Sequence, residues 1–256
     1  IANVFNIGAN LGAMAESTKL VFPSINFLFL VIVFALISLV LQIFVSYKGY
    51  AKYLKYLALT LFAYVASALL VNINWLDAMR HLVVPNFSLS GDILILICAA
   101  LGTTISPYLF FWQTDQEVEE QIAKGEATET QRRVSTSEVD IKKMRIDVWS
   151  GMFISNLVMF FIIAASAATL FQNGITNIAT ASDAALALKP FAGDFAYVLF
   201  TLGILGTGFL SIPVLAGSAS YAVSESFGWK YGLSRKLKQA LAFHGVIDSA
   251  AIVGII

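Results

Sequence analysis

Long apolar runs with almost no charge constrain the fold of this chain more than any other feature of its sequence. A helix needs about 20 apolar residues to cross the hydrocarbon core of a bilayer. Hydrophobic residues make up 58% of the 256 residues and charged residues only 12%, against roughly 45–50% and about 25% in soluble domains. We therefore predict an all-α integral membrane protein whose single transmembrane domain covers residues 1–256. The predicted spans are 1–19, 22–47, 56–73, 91–116 (broken near 103–107), 146–171, 195–223 and the incomplete 240–256.

The first predicted span is less apolar than the others and carries a polar stripe. Asn3, Asn6, Asn10, Met14 and Ser17 recur at steps of three and four residues, so they share one face of a helix. One interpretation is an interior helix whose polar face serves the function of the protein. The other is that the asparagines hold neighbouring helices together.

Lys and Arg are concentrated in every second loop. Thirteen of the sixteen lie in 48–55, 117–145 and 229–239. Cytoplasmic loops of membrane proteins carry an excess of Lys and Arg. We therefore predict that these three loops are cytoplasmic, and that the longest, 117–145, is a helical connector.

The fourth predicted span contains a helix break. Pro107 has no N–H and would free the carbonyl of Thr103, while Gly102, Thr104 and Ser106 weaken the helix further. Irregular backbone inside a bilayer is tolerated where it lines a cavity or is buried in protein. Broken helices of this kind build the ion and substrate sites of secondary transporters. A simple proline kink, repaired by Thr and Ser hydroxyls, is the alternative.

The residues that follow the break are polar and acidic. Gln113, Gln116, Glu117 and Glu120 fall on one helix face. Such a face could line a cytoplasmic vestibule that attracts cations, or it could be a solvated helix end.

Several classes of function are excluded. Sixteen basic and sixteen acidic residues leave no surplus of positive charge for nucleic acid. The sequence has no HExxH, GxSxG or CxxC motif, so we expect neither an enzyme nor a cofactor. Gly203, Gly206 and Gly208 lie inside a predicted span, which favours close helix packing or flexing over a nucleotide loop. Cys98 lies in an apolar run and is expected to be a buried free thiol.

Three motifs resemble the Nramp family of divalent-metal transporters. They are NIGANLGAMA at 6–15, GTTISPYLFFWQ at 102–113 with QEVEE at 116–120, and the stretch 181–227 with its GTG and AGSA sequences. The second motif is similar to a bacterial branch with Ser-Pro-Tyr in place of Met-Pro-His. The resemblance implies a LeuT-type inverted-repeat transporter fold. It also implies that this chain is a fragment, covering helices three to nine of about eleven.

The resemblance implies a secondary transporter of Mn, Fe or Mg cations that works by alternating access in the inner (plasma) membrane of a bacterium. The cation is the substrate, and its partners on this chain would be the carbonyl of Thr103 and the side chain of Ser106. The helix break and gate would comprise Gly102, Thr104, Pro107 and Tyr108. Two alternatives are a permease of the same fold for amino acids or other small solutes, and a membrane receptor that does not transport.

Two departures from the family pattern carry expectations. Ser106 replaces a methionine, and an oxygen ligand suits Mg²⁺ and Mn²⁺ whereas a thioether favours softer metals. We therefore expect weak discrimination against Mg²⁺. The positions that match the family's proton route hold Asn10, Ala13 and Tyr108, none of which titrates near neutral pH, so proton symport is expected to be weak or absent. The candidate proton or ion pathway comprises Asn10, Glu16, Gln113 and Glu117.

Overall fold

The computed structural model describes residues 1–44, 47–84, 90–104, 107–126, 128–175, 178 and 180–254. These residues form helices and turns, and no strand is found among them. The helices are α1 (Ala2–Val21), α2 (Phe27–Phe44), α3 (Tyr47–Ala58), α4 (Phe62–Leu70), α5 (Trp75–Val83), α6 (Gly91–Thr104), α7 (Pro107–Ala123), α8 (Glu129–Ser135), α9 (Glu138–Thr169), α10 (Ala181–Ser226) and α11 (Leu241–Val253).

Two buried apolar clusters hold these helices together, and α10 contributes to both. The larger cluster joins α1, α2, α10 and α11, and its buried members include Ile7, Met14, Val31, Ile212, Phe243 and Ile247. The smaller cluster joins α4, α9 and α10 around Tyr64, Val158 and Ile204. Because α10 also packs against α7, it is the central helix of the described structure.

A run of glycines lets neighbouring helices approach α10 closely. Gly203 lies under the ring of Tyr64, where an added Cβ would be 2.7 Å from Cζ. Gly206 lies against Thr60, and Gly208 against the thioether of Met14. We call these three glycines the glycine seam. Their contacts confirm the close helix packing expected from the sequence.

Within the described part of the chain, two helices, Glu138–Asn173 and Val198–Ser226, are long and apolar enough to cross a membrane. A third candidate is the pair Leu54–Leu70 and Trp75–Val83, which is bent by 115° at its break. The first two contain most of the predicted spans 146–171 and 195–223, whereas the other predicted boundaries stay predictions. Helix α5, which follows the bend, was not expected from the sequence.

The predicted cytoplasmic connector is largely helical. Helix α8 begins with a capping box in which Thr128 and Gln131 bond each other's backbone N–H. Helix α9 begins with the same arrangement of Ser137 and Asp140. Such reciprocal caps satisfy donors that the first turn leaves free. The hydrogen bonds from Ser137 also lower the pKa of Asp140.

The expectation for Cys98 is wrong, because this thiol is exposed. It lies on α6, where the apolar neighbours Leu94, Ile95 and Leu96 are exposed too. An apolar run therefore identified a helix here but not a buried position.

Candidate functional site

The predicted helix break lies between two described helices. Helix α6 is described as far as Thr104 and α7 from Pro107, while residues 105 and 106 lie outside the described residues, so the break stays a prediction. Proline is favoured at the first position of a helix, where its missing N–H costs nothing, and it disfavours helical backbone in the residue before it. We call this place the α6–α7 junction. Ser106 lies outside the described residues.

Of the other residues predicted for the junction, Gly102 lies in the last turn of α6 and is exposed. Only the backbone is described for the remaining four, which are Thr103, Thr104, Pro107 and Tyr108. Their predicted roles therefore stay predictions.

The polar stripe of α1 lies partly in the contact with α10. The Asn3 side-chain amide donates hydrogen bonds to the Leu215 carbonyl (3.0 Å) and the Ser218 hydroxyl (3.2 Å). Asn3 therefore joins α1 to α10. This agrees with the interpretation that the asparagines hold neighbouring helices together. Asn10 and Glu16 are both half-buried on the same helix, and their place in an ion pathway stays a prediction.

The structure brings Gln113 and Glu117 together on α7. The Gln113 side-chain amide donates to Glu117 Oε1 over 3.1 Å. Burial raises the pKa of Glu117, and the charge of Glu120 raises it further, whereas the hydrogen bond from Gln113 opposes both effects. The net effect is a pKa for Glu117 above the ordinary value of a glutamate.

Glu117 faces a polar cleft of about 390 Å³ between α7, α8 and α9, which we call the acidic cleft. Its charged lining comprises Glu117, Glu120, Lys124, Glu126, Asp140, Lys143 and Asp147. Five of these groups are acidic and two are basic, so the cleft carries an excess of negative charge that attracts hydrated cations. Within the described part of the chain, no three His, Cys, Asp or Glu residues are grouped closely enough to hold a metal ion.

Sequence reasoning missed the role of Glu119, which lies in the QEVEE motif at 116–120. Glu119 is only 2% exposed. Its Oε1 accepts hydrogen bonds from the Tyr221 hydroxyl (2.7 Å) and the Leu233 N–H (2.8 Å). Its Oε2 accepts one from the Ser234 N–H (3.0 Å). We call these four residues the Glu119 clasp. The partners lie more than a hundred residues away along the chain, so no local pattern could have revealed them.

The arrangement as a whole separates two kinds of chemistry. The sequence at the α6–α7 junction contains Thr103, Thr104 and Ser106, whose oxygens are of the kind that hard cations prefer as ligands. The acidic cleft offers carboxylates near the other end of α7, where they can concentrate cations without dehydrating them.

Curated relatives give this arrangement a context. The chain is 27% identical over 165 residues to a protein of Erwinia tasmaniensis, 28% over 151 residues to one of Vibrio campbellii, and 28% over 172 residues to one of Pectobacterium carotovorum. Each relative is named divalent metal cation transporter MntH. The alignments cover 64%, 59% and 65% of this chain but only 37%, 32% and 38% of the relatives. The aligned part of the chain thus spans about a third of their length.

The match to a family is more extensive than the match to any of these relatives. All residues from 1 to 256 match the model of the family Nramp, natural resistance-associated macrophage protein-like. The predicted fold class, an all-α membrane protein with part of a LeuT-type fold, is confirmed by this match together with the helical structure. The chain therefore belongs to the Nramp family of divalent-metal transporters.

Proposed function

We propose that the full-length protein containing this chain moves a divalent metal cation across the membrane by alternating access, and that the cation binds at the α6–α7 junction. The observation that carries this proposal is the match of residues 1–256 to the Nramp family, together with Pro107, which has no N–H to donate to the Thr103 carbonyl. The relatives named as divalent metal cation transporters support the choice of substrate.

The proposed ligands on this chain are the Thr103 carbonyl and the Ser106 hydroxyl. Pro107 supplies no N–H for the carbonyl four residues earlier, so that oxygen is left to bind something else. Gly102, Thr104 and Tyr108 would complete the helix break and gate. Oxygen donors alone fit Mn²⁺, Fe²⁺ and Mg²⁺, which are the proposed substrates.

The proposed inner route passes Gln113 and Glu117. These two side chains form a hydrogen bond with each other on α7, one turn apart. The carboxylate of Glu117 also lines the acidic cleft, and negative potential there would raise the local concentration of cations. We place this cleft on the cytoplasmic side of a bacterial inner membrane, with the loops 48–55, 117–145 and 229–239.

Reconstituted uptake tests the proposal. The full-length protein would be placed in liposomes with a metal-sensitive dye, and Mn²⁺ influx would be followed as dye quenching. We expect uptake by the unmodified protein and a loss of at least about tenfold in Pro107→Ala, because a continuous helix recovers the hydrogen bond that the proline prevents.

Pro213→Ala is the matched control. Pro213 lies inside the uninterrupted helix α10, and its replacement leaves the α6–α7 junction intact. Uptake should therefore stay within about twofold of the unmodified protein, since substitutions away from a site change it little. Equal loss in both variants, or no uptake of any divalent metal by the unmodified protein, would contradict the proposal.

A further inference from the structure

The Glu119 clasp is built to hold a carboxylate. All three groups that contact Glu119 donate hydrogen bonds to it. A buried charged group is costly unless it is fully hydrogen-bonded, and bonds to an ionised acceptor are stronger than those between neutral groups. The side chain at position 119 therefore has both the charge and the acceptors that its surroundings require.

The loop between α10 and α11, residues 227–240, has a backbone shaped around this carboxylate. Gly232 has φ = +126°, a left-handed conformation that residues with a Cβ rarely adopt. A Cβ at this position would also lie 2.7 Å from Glu119 Oε1. Gly232 thus lets the next two N–H groups, of Leu233 and Ser234, converge on the carboxylate.

Helix α7 is fixed to α10 at two levels. The indole of Trp112 packs on Gly217, and Glu119 bonds the hydroxyl of Tyr221. Seven residues separate the two contacts along α7, which is about 10 Å at 1.5 Å per residue. Two points of attachment determine the direction of a helix as well as its position. They therefore determine where the first turn of α7, at Pro107, lies relative to α10.

We propose that Glu119 is a positioning residue for metal transport. It fixes the C-terminal end of α7 on α10 and on the loop between α10 and α11. It thereby holds the N-terminal end of α7 in the geometry that binds the cation. This role rests on the proposed function, because it assumes that the cation binds at the α6–α7 junction.

Glu119→Gln tests the role with a side chain of the same size. An amide has only one acceptor atom. The Leu233 N–H keeps an acceptor in either orientation, because it also donates to the Tyr221 hydroxyl (3.1 Å), whereas an NH₂ group in the place of Oε2 leaves the Ser234 N–H unsatisfied. Hydrogen–deuterium exchange of the full-length protein should therefore show faster exchange of the Ser234 amide, by about tenfold. The Leu215 amide in α10 should exchange at an unchanged rate.

Transport kinetics separate positioning from folding. In Glu119→Gln we expect the KM for Mn²⁺ to rise about tenfold while the maximal rate stays within about twofold, since a misplaced ligand weakens binding and a loss of folded protein lowers only the rate. Tyr221→Phe removes one of three donors and should give a smaller rise in KM. Tyr221→Phe also tests the positioning role if Glu119→Gln does not fold.

Two control variants change side chains in or next to the loop between α10 and α11. Glu225→Gln removes a carboxylate that accepts a hydrogen bond from the Tyr231 hydroxyl (3.2 Å) and makes none of the hydrogen bonds of the Glu119 clasp. Ser234→Ala keeps the N–H that bonds Glu119. Both variants should leave the KM unchanged.

The possible failures are distinguishable. If the unmodified protein transports metal and Glu119→Gln keeps its KM, the positioning role is wrong and the proposed function stands. If the Ser234 amide exchanges at the same rate in both proteins, the clasp itself is wrong. If the unmodified protein transports no divalent metal, the proposed function is wrong and the role of Glu119 in transport falls with it.

Discussion

The indole of Trp112 on α7 lies directly on the backbone of Gly217 on α10, where a Cβ would overlap the ring. The contact leaves no space for a larger residue at position 217. It is one of the two attachments that fix α7, and its cost on substitution can be measured separately from that of the Glu119 clasp.

Gly217→Ala should destabilise the protein by about 1–3 kcal/mol, the usual cost of overpacking. The indole or the helix must move to admit the methyl group. The measurement is the apparent Tm of the full-length protein in detergent. Gly151→Ala is the control, because nothing lies within 4 Å of the Cβ it would add to α9, and alanine is favoured over glycine inside a helix. Equal Tm values in the two variants would contradict the packing argument.

Mg²⁺ should compete with Mn²⁺ for transport. The ligand predicted at Ser106 is an oxygen, and oxygen ligands do not select Mn²⁺ over Mg²⁺ as a thioether does. Excess Mg²⁺ should therefore reduce Mn²⁺ uptake into liposomes. In Ser106→Met the competition should weaken by about tenfold, which corresponds to about 1.4 kcal/mol of selective binding. The expectation is wrong if excess Mg²⁺ leaves uptake by the unmodified protein unchanged.

Metal uptake should move few protons. Asn10, Ala13 and Tyr108 match the family's proton route, and none of them titrates near neutral pH. A pH-sensitive dye inside the liposomes should report little acidification during Mn²⁺ uptake. Acidification comparable to that of a relative with Met-Pro-His would contradict this, and Glu16, half-buried on α1, would be the first residue to replace.

Uptake should decrease as the pH on the side of the acidic cleft falls below neutral. Burial raises the pKa of Glu117 above its ordinary value of 4.5, so this residue loses its charge before exposed carboxylates do. A raised pKa favours the folded protein at low pH relative to high pH, so unfolding through Glu117 does not explain the decrease. Glu117→Gln should lower uptake at neutral pH and flatten the profile.

Asp140→Asn provides the comparison for the pH profile. Asp140 lines the same cleft, but the hydrogen bonds from Ser137 lower its pKa. It therefore stays charged through the range in which Glu117 is protonated. Its replacement should leave the shape of the pH profile unchanged, and a profile flattened equally by both variants would contradict the assignment to Glu117.

The fold class followed from the sequence because hydropathy acts over contiguous residues. Runs of apolar side chains predicted helices without knowledge of their partners, and the break expected near Pro107 rests on the chemistry of one residue. Burial did not follow in the same way. Cys98 and Glu119 each lie in a helix that the sequence predicted, yet the thiol is exposed and the carboxylate is buried. Those outcomes depend on which helix lies opposite.

The candidate site shows the same difference between contacts within one helix, which the sequence predicts, and contacts between distant segments, which it does not. The bond between Gln113 and Glu117 spans four residues of one helix and could be expected from helix geometry. The Glu119 clasp requires Leu233 and Ser234, which enter through a turn that Gly232 permits. A glycine that allows a distant loop to reach a carboxylate has no local signature before the helices are assembled.

The glycine seam has a consequence for any attempt to stabilise the protein. Replacing helical glycine by alanine is a common route to a more heat-resistant variant, because it reduces the freedom of the unfolded chain. At Gly203, Gly206 and Gly208 the added methyl groups would meet Tyr64, Thr60 and Met14 and push three neighbouring elements away from α10. Engineering for stability should therefore leave this helix alone and begin on the surface of α9.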